Sequence, residues 1–198
     1  MSYSGRRLRA DPFTDLLFNI LLSFTLLMFL AIIFMNPIPK TGVINPKAEY
    51  IITVSWKDNN PDDIDTYVQS PTGDLIWFRA KEAGFVHLDR DDRGLLNDTI
   101  EINGEKVQNP LNQEVVTVRA VVPGEYIVNI HYYATKTDKP IDVNVKVEKV
   151  NPQLEVIYYG TINLEKKGVE KTATRFNITQ NGKVSVSGNL FKKLVPEN

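Results

Sequence analysis

The chain has no cysteine, and only His87 and His131 among its 198 residues are histidines. The lack of cysteine excludes disulfides, thiolate catalysis and cysteine-ligated metals, and two histidines argue against a histidine-rich zinc site. The net charge is −1, so no overall field favours nucleic acid as a partner. No Gly-x-Ser-x-Gly, His-Glu-x-x-His or phosphate-loop pattern occurs, and we expect no enzyme. Any chemistry must depend on carboxylates.

Charge is also missing from residues 16–35, which contain no Lys, Arg, Asp, Glu or His. A helix of about 20 apolar residues spans the hydrocarbon layer of a membrane. A cleavable signal peptide is the alternative, but its apolar region is usually about 7–15 residues and ends in a small-x-small site. Here the run is longer and ends in Phe34-Met35-Asn36-Pro37. The sequence therefore predicts a retained membrane anchor.

Positive charge lies on one side of this helix. Arg6, Arg7 and Arg9 precede it, whereas residues 36–46 contain only Lys40. The positive-inside rule then predicts a cytoplasmic N-terminus in a bacterial inner membrane and a periplasmic C-terminal domain. The predicted segments are a cytoplasmic tail (1–11), a transmembrane helix (12–35), a proline-containing linker (36–46) and a periplasmic domain (47–198).

Asp15 lies at the start of this helix. Asp11 and Pro12 read as the N-cap and the first helical residue, which puts Asp15 near the end of the first turn. Asn19 and Ser23 follow four and eight residues later, on the same helical face. Because lipid penalises polar groups, this stripe predicts contact with a protein partner or a hydrated path. The alternative is an incidental acid favoured by the helix dipole.

The segment Pro12-Phe13-Thr14-Asp15, followed by Leu16-Leu17 and a helix rich in Leu and Phe, resembles the Pro-Phe-x-Asp start of the ExbD/TolR helix. It is also similar to the Asp-led helix of MotB-type stator subunits. The resemblance covers about residues 10–35 and implies that Asp15 carries the transported ion, H⁺ or Na⁺. The polar residues expected to support the ion path are Thr14, Asn19 and Ser23.

The same resemblance implies partners. The chain is expected to form a homodimer inside a ring of a multi-span ExbB- or MotA-like protein. Residues 36–46 contain Pro37, Pro39 and Pro46 and cannot continue the helix. This linker is either an extended spacer or, as in stator families, a plug that blocks the ion path.

Beyond residue 49 the sequence favours short strands. Alternating β-branched and aromatic residues recur between turn signals, including Asn103-Gly104 and Gln180-Asn181-Gly182. Such a pattern predicts an antiparallel β-sandwich. The predicted strands are 50–56, 64–69, 75–79, a hairpin over 100–107, 115–121, 125–133, 141–150, 154–164, 175–178 and 183–187.

Part of this domain, about residues 49–150, resembles a β-sandwich found in YfaP-like secreted bacterial proteins. The resemblance implies the fold rather than a function. It is carried by Ser55-Trp56, Asp63-Ile64-Asp65, Ser70-Pro71-Thr72-Gly73, Pro123-Gly124-Glu125-Tyr126 and His131-Tyr132-Tyr133.

Acidic residues cluster in two places. One group is Asp58, Asp62, Asp63 and Asp65, and the other is Asp89, Asp91 and Asp92. If the two groups meet, they could supply the oxygen ligands that Ca²⁺ requires. The candidate calcium ligands are Asp63, Asp65, Asp89 and Asp91. The alternative is a set of solvated acids partly paired with Arg79, Arg90 and Arg93.

Two functions follow from these features. The first is the ion-carrying subunit of a rotary membrane motor, in which flow through Asp15 drives work by the external domain. The second is a membrane-anchored β-sandwich that binds a periplasmic or cell-envelope ligand, such as a glycan, a peptide or calcium, without ion transport.

Overall fold

The computed structural model describes residues 11–35, 48–94 and 99–196. The chain divides into two compact units, Met1–Asn45 and Pro46–Asn198. The first unit contains the helix α1, Pro12–Met35. The predicted cytoplasmic tail, apart from Asp11, and the predicted linker over 36–46 lie outside the described residues.

Helix α1 is long and apolar enough to cross a membrane. The candidate span is Pro12–Ile32, with a mean hydropathy of 2.2, and none of it is buried inside the molecule. A soluble helix of this composition would have to bury its surface against other elements. The described part of α1 exposes its large apolar side chains, which agrees with the anchor predicted from the sequence.

The described part of the second unit contains thirteen strands. A six-stranded sheet has the order β11-β10-β1-β8-β5-β4, a five-stranded sheet has the order β13-β12-β9-β2-β3, and β6 pairs with β7. The strands are β1 Tyr50–Trp56, β2 Asp63–Gln69, β3 Leu75–Ile76, β4 Glu82–Ala83, β5 Val86–Arg90, β6 Thr99–Ile102, β7 Glu105–Gln108, β8 Asn112–Val118, β9 Gly124–Ala134, β10 Ile141–Lys149, β11 Glu155–Leu164, β12 Glu170–Ile178 and β13 Val184–Gly188.

Alternate residues of the central strands form the core. In β1 every second side chain is buried, from Tyr50 to Trp56, and Val54 lies opposite Val145 of the neighbouring β10. Strand β9 of the other sheet contributes Tyr126 and Tyr132, both fully buried. Two antiparallel sheets that bury one face each make a β-sandwich, so the predicted fold class is confirmed.

Several regions differ from the sequence-based strands. Strand β8 runs from Asn112 to Val118 instead of 115–121, β12 begins at Glu170 instead of residue 175, and β4 was not predicted. Strand β3 ends at Ile76, because Trp77 and Ala80 exchange backbone hydrogen bonds in a tight turn. Strand β5, Val86–Arg90, was not predicted, and it carries Asp89. Val86 and Leu88 of β5 point into the core, but the other three residues are His, Asp and Arg. Two apolar residues in a run of five are too few for the alternating pattern to be recognised.

Candidate functional site

Asp11 caps helix α1. Its Oδ1 accepts a hydrogen bond from Phe13 N (3.1 Å), and its Oδ2 accepts one from the Thr14 hydroxyl (2.9 Å). These are the contacts of an N-cap residue, which satisfies the donors left open at a helix start. The Thr14 side chain is therefore engaged with the cap.

Asp15 takes no part in this cap. Its backbone N donates to Asp11 O (3.0 Å), as in any first helical turn. Within the described residues its carboxylate has no hydrogen-bond or ion-pair partner. Farther along the stripe, the Ser23 hydroxyl donates to the backbone carbonyl of Asn19 (2.8 Å). Ser23 is thus satisfied within the helix, whereas the side chains of Asp15 and Asn19 are exposed and have no partner among the described residues.

Three acids meet inside the β-sandwich unit. Asp65 on β2, Asp91 after β5 and Glu114 on β8 each place one carboxylate oxygen within 4.8 Å of those of the other two. We call these residues the carboxylate cluster. Asp65 and Glu114 are buried, with 4% and 1% of their surface exposed. Of the residues described, these are the ones whose positions could hold a metal ion.

The cluster leaves buried oxygens without partners. Glu114 Oε2 accepts a hydrogen bond from Thr66 N (2.6 Å), but Glu114 Oε1 and Asp65 Oδ2 have no partner in the described structure. Asp91 is better satisfied, because its Oδ2 accepts a hydrogen bond from Lys81 Nζ at 2.9 Å. Unpaired buried carboxylate oxygens are costly, so the cluster calls for a proton or a cation.

Burial and mutual repulsion change how these acids titrate. Burial, together with the charges of Asp63 and Asp91, raises the pKa of Asp65 to about 8. Burial and the charge of Asp91 likewise raise the pKa of Asp63 to about 6. Burial also raises the pKa of Glu114 well above its usual value. At neutral pH the cluster therefore holds protons when no cation is present.

Gly94 allows the Asp91 segment to approach β2. Its φ is +66°, and a Cβ there would lie 2.8 Å from the carbonyl carbon and oxygen of Pro61 and 2.9 Å from Asp62 O. Only glycine combines this backbone angle with such close contact. The glycine thus sets the distance between the segment after β5 and the start of β2, from which the two aspartates of the cluster project.

A pocket of about 360 Å³ lies beside the cluster. Its charged lining is Asp63, Asp65, Asp91 and Arg93, and the other lining residues are Phe78, Tyr133 and Ala134. Asp63 Oδ1 is buried without a partner. Arg93 is 57% exposed and lies 3.8 Å from Asp91 Oδ2. The pocket thus combines hydrogen-bonding groups with two aromatic rings.

The structure brings together only some of the acids predicted to bind calcium. Asp65 and Asp91 belong to the cluster, and Asp63 lines the adjoining pocket. Asp89 lies apart, because it pairs with Arg119 (2.6 Å) and accepts a hydrogen bond from Thr117 (2.5 Å).

Two of the other loop acids, Asp62 and Asp92, have structural roles. Asp92 Oδ2 accepts hydrogen bonds from Arg90 (2.9 Å) and Gln113 N (3.2 Å). Asp62 is fully buried and anchors the segment after β9. Its hydrogen-bond donors are Tyr132, Thr135, Lys136 and Thr137.

Sequence reasoning missed Glu114. The signal was available, because Glu114 is in phase with Val116 and Val118, which both point into the core. An acid at the inward position of an alternating strand is rarely tolerated without a partner. That anomaly could have marked Glu114 as a candidate ligand.

No protein-family profile matches the sequence, and no curated protein matches it. Among solved structures, a protein of unknown function, SAV2460, matches with a TM-score of 0.47 and 13% identity over 72% of this chain and 88% of its own. A homologue of the telluride resistance protein TerD, SCO6318 from Streptomyces coelicolor A3(2), matches with a TM-score of 0.43 and 12% identity over the same shares. At these scores the two likenesses say nothing about the function of this chain.

Proposed function

We propose that this chain is the ion-carrying subunit of a rotary membrane motor, with Asp15 as the carboxylate that takes up and releases the ion. The observation that carries the proposal is that Asp11 and Asp15, although close together at the start of α1, have different roles. Asp11 caps α1, so the helix start does not need Asp15. Asp15 has no partner among the described residues, so the cap does not account for it, and an acid that borders an apolar span is a functional candidate.

The chemistry of such a cycle follows from the position of Asp15. In its charged form Asp15 is favoured by the helix N-terminus, by about 0.3–1 kcal/mol, and by water or a polar partner. In its neutral form it can pass an apolar wall. A membrane potential supplies about 2.3 kcal/mol per charge per 100 mV, which is comparable with the cost of about 2.5–3.5 kcal/mol for a charge at the membrane centre. The potential can therefore bias the change of Asp15 between its charged and neutral forms.

The proposal includes a homodimer, an enclosing ring of a multi-span ExbB- or MotA-like partner, and a cytoplasmic N-terminus. To test it, the tagged full-length chain is purified from membranes of its natural host and copurifying proteins are identified by mass spectrometry. The complex is then reconstituted in liposomes, and ion entry under an imposed potential is followed with pH-sensitive and Na⁺-sensitive dyes. The absence of a copurifying multi-span protein would contradict the motor.

Two matched variants isolate the role of Asp15. Asp15→Asn is expected to abolish ion entry while leaving the complex assembled. Asp11→Asn removes an acid only one helical turn away, but asparagine also caps helices well, so this variant should still conduct. If both variants lose ion entry equally, or if Asp15→Asn conducts fully, Asp15 is not the ion carrier. The dye that responds identifies the ion as H⁺ or Na⁺.

The carboxylate cluster supports a second proposal, that the β-sandwich domain binds a divalent cation. Asp65 and Glu114 each have a buried oxygen without a partner, and one oxygen of each of the three acids lies within 4.8 Å of those of the other two. Ca²⁺ binds six to eight oxygens at about 2.3–2.6 Å, so two ligands on opposite sides of it lie about 4.6–5.2 Å apart. Oxygens that lie within 4.8 Å of one another can share such an ion. Mg²⁺ gives up its bound water reluctantly and is usually held by only one or two carboxylates, which favours Ca²⁺ at this site.

The test of this second proposal is direct. Isothermal titration of the full-length chain in detergent with CaCl₂ and with MgCl₂ should show binding of Ca²⁺ and weaker binding of Mg²⁺. Asp65→Asn should reduce Ca²⁺ affinity at least about tenfold, the effect of about 1.4 kcal/mol. Asp142→Asn, an exposed change on β10, should have no effect. Ca²⁺ affinity that is unchanged by Asp65→Asn would refute the site.

A further inference from the structure

Five aromatic side chains form a closed circuit next to the carboxylate cluster. The distances between ring centroids are 5.7 Å for Tyr67 and Trp77, 4.8 Å for Trp77 and Phe78, and 5.4 Å for Phe78 and Tyr133. His131 closes the circuit, at 6.2 Å from Tyr133 and 6.0 Å from Tyr67. Mutual ring contacts of this kind hold aromatic side chains in fixed orientations.

Phe78 and Tyr133 belong both to this circuit and to the lining of the pocket. Their ring planes are tilted by 59°, so the pocket has two differently oriented apolar faces. The Arg79 guanidinium covers part of the circuit, at 5.3 Å from the Phe78 centroid and 5.5 Å from that of Trp77. Tyr133 is 42% exposed, which makes its ring the accessible face beside the acids.

We propose that this pocket binds a saccharide through a cation held by the carboxylate cluster. The inference rests on the proposed cation site. Three carboxylates fill only part of the coordination sphere of Ca²⁺, which takes six to eight oxygens. Two adjacent hydroxyls of a sugar can fill open positions, while the C–H face of the sugar ring packs on Tyr133 and Phe78.

The remaining polar groups match the edge of a sugar. Asp63 lines the pocket and has a carboxylate oxygen without a partner, so its carboxylate can accept a hydrogen bond from a sugar hydroxyl, and the half-exposed Arg93 can donate one. A wholly apolar ligand would leave Asp63 unsatisfied, at a cost that disfavours such a ligand. A site with an apolar wall and a few converging polar groups is the usual form of a small-molecule pocket.

The test uses the full-length chain in detergent and the methyl glycosides of mannose, glucose, galactose and N-acetylglucosamine as probes. Binding is measured by titration calorimetry, in CaCl₂ and again after Ca²⁺ is removed with EGTA. At least one glycoside should bind in CaCl₂ and none in EGTA. Tyr133→Ala and Phe78→Leu should each weaken that binding several-fold, because each removes the packing of the sugar on one aromatic ring. The affinity for Ca²⁺ should be unchanged.

Tyr159→Ala is the matched control, because Tyr159 is an exposed tyrosine, 65% accessible, on β11 and outside the pocket. It should alter neither measurement. If Ca²⁺ binds but no glycoside does, or if Tyr133→Ala leaves glycoside binding intact, the saccharide proposal is refuted while the cation site stands. If Ca²⁺ itself does not bind, the proposed cation site fails and the saccharide proposal falls with it.

Discussion

Glu114→Gln should separate the structural role of the carboxylate cluster from its proposed cation-binding role. Glu114 is buried, and burial raises its pKa well above the usual value. Without a cation, burial therefore favours the neutral form of the side chain. Glutamine has the same shape and can still accept the hydrogen bond from Thr66 N. In EGTA we expect the variant to match the wild type or to exceed its stability by up to about 1 kcal/mol.

Calcium should reverse that order. A ligand at about one hundred times its Kd stabilises a folded protein by about 2.7 kcal/mol, which corresponds to a rise in Tm of about 5–11 °C for a domain of this size. Glutamine has lost the carboxylate that a cation requires. The wild type should show this increase in Tm, and Glu114→Gln should show little or none. The variant is thus expected to be at least as stable in EGTA but less stable in CaCl₂.

Tryptophan fluorescence is a selective probe for this experiment. The chain has two tryptophans, Trp56 and Trp77, and both lie in the β-sandwich unit. Thermal unfolding of the full-length chain in detergent therefore reports this unit without a signal from α1. Glu105→Gln, the same chemical change at an exposed position on β7, is the control. An unchanged Ca²⁺ response in Glu114→Gln would refute the role of this residue as a ligand.

Three further predictions follow from the same region. Asp62→Asn should destabilise the β-sandwich by about 2–4 kcal/mol in urea unfolding, because Asp62 is a charged acceptor of several buried hydrogen bonds. Burial raises the pKa of Asp62, but those hydrogen bonds outweigh it and lower the pKa overall. The decrease in unfolding free energy caused by Asp62→Asn should therefore become smaller as the pH falls below about 3.9. A decrease that stays constant below that pH would contradict this explanation. Gly94→Ala should weaken Ca²⁺ binding, measured by titration calorimetry, because its Cβ would collide with Pro61; unchanged affinity would show that this approach does not position Asp91. Without Ca²⁺, thermal stability should fall between about pH 4 and pH 8, because the raised pKa of Asp65, about 8, makes the folded state bind more protons than the unfolded state. Ca²⁺ binding should then release protons, detected as a binding enthalpy that depends on the buffer, and a buffer-independent enthalpy would contradict it.

Local patterns were enough to predict the fold class. The alternation of apolar side chains in β1, Tyr50–Trp56, matches the structure residue for residue, because one face of that strand is buried and the period is two. Asn103 and Gly104 both adopt positive φ, at 54° and 85°, as the predicted turn of the β6–β7 hairpin requires. Short strands with charged residues, such as β5, escaped prediction because their strand conformation depends on neighbours distant in sequence.

The candidate site was less predictable. Asp63, Asp65 and Asp91 were visible as acids near strand ends, but whether their loops meet depends on sheet order and on the close approach at Gly94. Asp89 and Asp91 are only two residues apart, yet Asp89 pairs with Arg119 and Asp91 joins the cluster. No spacing rule separates them, because β5 has a bulge between Leu88 and Arg90, and the side chains there and in the following segment take different directions.

The sequence by itself determined the elements that depend on local composition. These elements are the uncharged apolar run long enough to cross a membrane, the acid at its start, and the strands with alternating apolar residues. Each can be recognised from residues that lie close together in the sequence. The Asp11 cap was predicted locally, from Asp11-Pro12. Only the tertiary structure decided which acids share a buried site. Asp65, Asp91 and Glu114 meet because β2, the segment after β5, and β8 come together in space. Such convergence is a property of packing between distant segments, which no local pattern records.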